Sequence, residues 1–298
     1  MTKPRPDPAI ITEFRSYMQE KGYTKEAVKG YGNSMRNYLA INPKANSYEY
    51  CDVLSSIEQK AYRPLTISAR KTILIYIKKY YDFLLDTGRR DDHPCRQLNL
   101  KGRIDKTVIH SDLFTMAELE LMFKREGKYK KLIPKNKAII SLLLYQGMTV
   151  AEIIRLKVSD IDLDAGIISI TGGQLLTSRR LEIKPKQYGI LHDYINTGRK
   201  RLLKCKTDSF AIGLTGLPDA LDNTRKLLKS LKPLYPDKNL NAMAIRDSVI
   251  CYWLNECKIP LEQVQLMAGH RWISCTERYV QVSTEEQKEI LKKYHPLG

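Results

Sequence analysis

The chain has 298 residues, 43% of them hydrophobic, which suits two ordinary domains or one large one and excludes wholesale disorder. No run approaches the roughly 20 apolar residues that span a bilayer, and the basic N-terminal stretch lacks the apolar segment of a secretory signal, so a cytoplasmic protein is expected. Lys and Arg outnumber Asp and Glu by 50 to 33, a formal charge of +17 shared about evenly before and after residue 107; this favours a polyanionic partner, nucleic acid ahead of a membrane surface, because cationic side chains release counterions from phosphates.

The first hundred residues read as helices. Ile10, Phe14 and Met18 recur at helical spacing and stop at Gly22. Thr24 can cap a second helix that carries Val28, Tyr31, Met35, Tyr38 and Leu39. A third is expected over 48–60. Pro64 opens a long fourth with a core stripe of Ile73, Ile77, Tyr80 and Leu84, ended by Gly88. Residues 99–112 are polar and basic without apolar period, which predicts a linker between a domain over 1–98 and another over 113–298.

Beyond it, Thr115-x-x-Glu118 is a capping box. Apolar helices follow at 138–145, ended near Gly147, and at 150–157. At Gly166 the pattern changes: Ile167, Ile168 and Ile170, then Leu181 and Ile183 after a Gly-Gly turn, predict a β-hairpin. Helices resume over 187–203, 220–231, 245–256 and 261–267, and Ser283-x-x-Glu286 caps a last one over 284–293. Six cysteines are scattered without a CxxC pair, so reduced, mostly buried thiols are expected, with no metal and no cofactor. The fold class is mainly α, with one small β-sheet in the second domain.

Three short motifs carry chemistry. Ile245-Arg246-Asp247, Leu266-Met267-Ala268-Gly269-His270 and Thr276-Glu277-Arg278-Tyr279 follow in order, with Tyr279 nine residues after His270. In this joint order the chain resembles the tyrosine recombinase family of phage integrases and Xer recombinases. Leu113–Glu118 resembles the opening of that family's catalytic domain, and Gln146–Glu152 its first arginine motif. The resemblance implies an N-terminal helical (SAM-like) core-binding domain followed by a mixed α/β, mainly helical, catalytic domain. It implies double-stranded DNA as substrate, and self-association into a synaptic tetramer or pairing with partner recombinases. It also assigns roles: Tyr279 as nucleophile, Arg246 gripping the phosphate, His270 hydrogen-bonding it.

The chemistry explains the residue types. A tyrosine hydroxyl attacks a phosphodiester, forming a phosphotyrosyl link and freeing a sugar hydroxyl, so bond energy is kept for rejoining. Charge develops on phosphoryl oxygens, and bidentate arginine stabilises it. Three positions depart from the family pattern. Its first arginine falls at Thr149, its His or Lys three residues before the second arginine falls at Met243, and the hairpin lysine is not visible in Thr171–Arg180. Arg155 lies six residues past Thr149, about 240° around a helix, and is a poor substitute. Arg179, Arg180 and Lys184 have two placements open to them: inside the site through a long turn, or on the DNA backbone, which is slightly favoured. Activity therefore divides into a recombinase with a rearranged site and a DNA-binding partner of a second recombinase. A third reading takes residues 259–273 as a helix-turn-helix of a transcription regulator. Trp272 and Ile273 are expected to pack beneath the turn.

Overall fold

Caps and apolar stripes set the helices of the first hundred residues in a computed structural model that describes residues 8–58, 65–102, 108, 112–125 and 129–280. The chain divides into two compact units between residues 105 and 106. In the first, α1 (Pro8–Glu20) buries Ile11, Phe14 and Met18 and ends at Gly22, whose φ of +81° suits a residue without Cβ. Thr24 caps α2 (Lys25–Ile41) by accepting from the Ala27 amide at 3.3 Å. α3 spans Tyr50–Glu58 and α4 Ile67–Asp86. The start expected at Pro64 lies outside the described residues; Thr66 is the observed cap, accepting from Ala69.

The core of this unit is aromatic. Phe14 meets Tyr80 and Phe83 edge-on at 5.8 and 5.6 Å, and the Tyr80 and Tyr81 hydroxyls donate to Asn46 Oδ1 and the Ala45 carbonyl, both at 2.7 Å. Of the expected linker, Leu100 is buried in this core and the Gly102 carbonyl accepts from Lys71 Nζ; residues 103–107 and 109–111 lie outside the described part.

The second unit opens with α5 (Met116–Glu120) and its Thr115–Glu118 capping box. α6 (Ile133–Tyr145) is its central strut, buried on almost every side through Ala138, Ile139, Ile140, Leu142, Leu143 and Leu144. Gly147 turns the chain at φ +56° into α7 (Val150–Arg155). The hairpin is joined by an additional short strand. β1 (Ile161–Asp162), β2 (Ile167–Ile170) and β3 (Arg179–Glu182) form an antiparallel sheet in that order, with Ile168 opposite Leu181. The single helix expected over 187–203 is broken: α8 (Pro185–Asp193) widens into a π-turn at Tyr194–Gly198 before α9 (Arg199–Leu202).

α10 (Leu221–Leu231), α11 (Ala242–Cys251), α12 (Leu261–Ala268) and the short α13 (Ser274–Glu277) complete the described unit. The final helix expected over 284–293 lies outside the described residues. No described helix is long and apolar enough to cross a membrane. Four cysteines (Cys51, Cys205, Cys257, Cys275) are exposed and two (Cys95, Cys251) buried, all free, so the expectation of mostly buried thiols is corrected.

Candidate active site

Asn241 starts α11 by accepting from the Met243 and Ala244 amides at 3.0 Å, which sets the helix phase that turns Arg246 inward. Arg246 is 4% exposed. Its Nη1 donates to the Gly147 carbonyl and its Nη2 to the Ala268 carbonyl, each at 2.5 Å. Arg246 therefore ties the end of α6 to the end of α12. Burial, and then Arg179, pull its pKa below the usual guanidinium range.

α12 ends at Gly269, whose φ is +71°. A Cβ there would stand 2.7 Å from Arg179 Nη1 and 3.0 Å from the Thr177 carbonyl oxygen, so glycine is required twice over. The hairpin closes on this turn: the Thr177 amide donates to the Gly269 carbonyl at 2.9 Å and Leu176 bridges to His270. The tip is itself built on glycine, since a Cβ at Gly172 would meet the Leu176 oxygen at 2.5 Å.

His270 faces Thr276 Oγ1 through Nδ1 at 2.9 Å and stacks on Tyr279 with ring centres 6.1 Å apart. Burial, followed by the charges of Arg246, Arg278 and Arg179, lowers its pKa to about 4, so the imidazole is neutral near pH 7. Tyr279 is 1% exposed; its hydroxyl donates to Asp247 Oδ1 at 2.6 Å and accepts from Arg278 Nη2 at 2.7 Å. Burial pushes the phenol up to about 12, with Arg278 opposing and Asp247 adding to the rise.

The three motif residues thus converge. Arg179 joins them: its Nη1 donates to Glu152 Oε1 at 2.6 Å, and its side chain is almost wholly buried. Glu152 is also the capping-box partner of Thr149, whose hydroxyl donates to Oε2 at 2.9 Å. The Arg179 guanidinium therefore arrives beside the position where the sequence lacks an arginine. Burial alone would raise the Glu152 carboxyl, but Arg179 carries it below the ordinary value.

Arg180 and Lys184 do not join the cluster. Arg180 points to the exposed face of β3, and Lys184, half-exposed, precedes α8 with its Nζ 4.0 Å from Glu182. Arg155 lies against the hairpin turn, where a Cβ on Gly173 would be 3.2 Å from its Nη1. Trp272 and Ile273 are 69% and 37% exposed, against the expectation of packing beneath the turn: the left-handed turn throws them outward while Thr276 and Tyr279 fill the interior. Asp247, Arg278 and Glu152 were missed by the sequence reading. Their signals were adjacency to Arg246 and Tyr279, and the Thr149-x-x-Glu152 capping pattern.

Three guanidiniums (Arg179, Arg246, Arg278) against two carboxylates (Glu152, Asp247) leave a positive surplus around a neutral histidine and a phenol. The Nε atoms of Arg179 and Arg278 are buried without a hydrogen-bond partner among the described residues. Such donors are satisfied by water or by a ligand oxygen. The arrangement sets positive charge and unmatched donors beside a tyrosine hydroxyl, the chemical complement of an anionic group. Among the described residues no group of three or more His, Cys, Asp or Glu could hold a metal. A cavity of about 460 Å³, lined by Met122, Ile140, Leu227 and Lys135 among others, contains none of these groups.

The chain is similar to known proteins along nearly its whole length. The tyrosine recombinase XerD of Halalkalibacterium halodurans is 26% identical over 302 positions, covering 93% of this chain and 94% of that protein. XerC of Lactobacillus delbrueckii subsp. bulgaricus is 24% identical over 295 positions, covering 95% and 98%. In fold the chain is similar to the XerH site-specific recombinase bound to difH substrate in a pre-cleavage complex, with TM-score 0.67, 14% identity and coverage of 99% and 98%. It is also similar to the Tn1549 transposon integrase in complex with transposon right end DNA, with TM-score 0.65, 16% identity and coverage of 96% and 99%. The phage integrase family profile matches residues 114–286, more than half of the sequence. With the site residues lying within that span, the chain belongs to the phage integrase family of tyrosine recombinases.

Proposed function

We propose that this protein recombines double-stranded DNA at specific sites, with Tyr279 cutting a strand and forming the covalent phosphotyrosyl link. One observation carries the reading: the Tyr279 hydroxyl, His270, Arg246 and Arg179 meet in one buried basic cluster. Arg246 and Arg179 supply fixed charge for the phosphoryl oxygens, and neutral His270 supplies a hydrogen bond. Arg179 takes the part of the arginine absent at Thr149, which favours the placement inside the site over the DNA backbone. Residues 1–98 serve as the core-binding domain and 113–298 as the catalytic domain, joined across 99–112. Strand exchange is completed by sister protomers in a synaptic tetramer or by partner recombinases.

A nicked duplex bearing the sequence that the full-length protein selects from a random pool tests this. The protein traps a denaturation-resistant adduct; Tyr279→Phe yields none, and Arg246→Ala loses about 10²–10³-fold in rate. Absence of adduct alongside intact DNA binding, even with partner recombinases supplied, favours the silent DNA-binding reading. The regulator reading is not favoured: α13 has four residues, too short for a recognition helix in a groove.

A further inference from the structure

An attacking phenol must shed its proton, and one group of the site is placed to accept it. His270 is neutral but presents its ring face, not a nitrogen, to Tyr279, and its Nδ1 faces Thr276. Arg278, the other group on the hydroxyl, can donate but not accept. Met243 precedes Asp247 by one helical turn on the same face of α11 and carries no titratable group. Asp247 is the group to which the Tyr279 hydroxyl already donates, at 2.6 Å.

We infer that Asp247 is a catalytic residue of this chain, the general base that takes the Tyr279 proton as the phosphotyrosyl bond forms. The inference rests on Tyr279 being the nucleophile. The geometry meets the first requirement of a general base, hydrogen-bond reach of the proton it abstracts. An aspartate accepting a hydroxyl proton during phosphoryl transfer has precedent in kinase chemistry. Burial holds the free phenol near 12, so spontaneous ionisation near pH 7 is rare and an acceptor in contact has a large effect.

The step balances as follows. A lone pair of the Tyr279 oxygen forms the O–P bond. The O–H bond breaks, its electron pair stays on oxygen, and the proton passes to Asp247 Oδ1. The P–O bond to the sugar breaks with its pair on the sugar oxygen, which takes a proton from water. The hydroxide so formed is neutralised by the Asp247 carboxylic acid, restoring the carboxylate. Arg278 stays hydrogen-bonded to the Tyr279 oxygen and stabilises the charge that passes through it.

The groups facing Asp247 are Tyr279 and Arg278 from the α13 side and Arg246 and Cys251 from its own helix.

The test measures single-turnover cleavage of the selected nicked duplex by full-length protein, with binding followed by fluorescence anisotropy. Asp247→Asn cleaves at least about 10²-fold more slowly while binding DNA within twofold of the parent. Asp247→Glu restores part of the rate. A substrate with bridging sulfur in place of the leaving oxygen needs no proton there, and the Asp247→Asn defect persists on it. Three results overturn the inference: Asp247→Asn cleaving as fast as the parent or faster, its defect vanishing on the sulfur substrate, or its loss being matched by loss of DNA binding. Adduct formation by Tyr279→Phe instead overturns the assignment of the nucleophile, and is read independently of the Asp247 variants.

Discussion

In the first unit the buried interior is mostly aromatic and aliphatic, and among its described residues no Lys, Arg, Asp or Glu is buried; the second unit holds Lys135, Glu152, Arg199, Asp219 and Arg246 inside. Taking charges out of water costs several kcal/mol each, and ion-pairing does little more than offset it. The second unit therefore carries a load that folding alone does not call for, and it distributes that load in two ways. Lys135 and Asp219 pair at 2.5 Å, and Arg199 donates to the Thr207 and Ser209 carbonyls. Around Tyr279, by contrast, arginines outnumber carboxylates and two Nε donors stay unmatched. Arg15 and Arg70 in the first unit also keep an unmatched Nε, so that feature alone does not mark a site. Its convergence with Glu152, Asp247, His270 and Tyr279 does.

The contrast breaks most visibly at Glu152. Glu152→Ala strands the Arg179 charge and costs about 3–5 kcal/mol, a fall in Tm on the order of 10 °C. Asn42→Ala in the first unit costs about 1 kcal/mol. Thermal unfolding followed by circular dichroism measures both, and equal costs would erase the distinction. The double variant Glu152→Leu with Arg179→Met regains most of the stability, while cleavage stays low because the phosphate loses a guanidinium.

Acid separates the units next. The His270 pKa is lowered from 6.5 to about 4. An unfolded histidine takes a proton below about pH 6.5, whereas the folded one stays neutral until about pH 4, so stability is lost as pH falls through that window. The total is about 3 kcal/mol. Glu152, held below its ordinary value, adds a further loss at still lower pH as its carboxylate is protonated. In His270→Asn the limb between pH 6.5 and 4 flattens, and urea titrations at stepped pH measure it. The smallest expected effect is at Trp272, where 69% exposure limits the stability change of Trp272→Ala to about 0.5 kcal/mol by the same titrations.

What the sequence displayed, and what it concealed, follows from distance along the chain. Arg246, His270 and Tyr279 stand in short motifs at fixed spacing, and helices α11 to α13 convert that spacing directly into proximity. The capped starts of α2 and α5 were legible for the same reason: a cap is a contact between residues three apart. Glu152 and Arg179 are 27 residues apart, and their meeting depends on how the Gly172–Gly173 turn folds the hairpin back, which no local pattern specifies. Arg179, Arg180 and Lys184 looked equivalent as cations; strand alternation turned one inward and the next outward. Trp272, expected beneath the turn, is exposed by the same turn that buries Tyr279. β1 and the π-turn at Tyr194–Gly198 are tertiary choices, too short for a periodicity to reveal.

The bond from the Thr177 amide to the Gly269 carbonyl makes the hairpin tip and the histidine turn a single latch. Lifting residues 171–178 to admit a DNA strand must break that bond, and the same movement loosens the backbone that aims His270. Thr177 thus carries a built-in clock: its amide proton exchanges with solvent only while the latch is open. The rate at that one residue reads the opening free energy of the latch, and a cognate duplex that wedges the hairpin away accelerates it, whereas one that closes the hairpin over its backbone slows it.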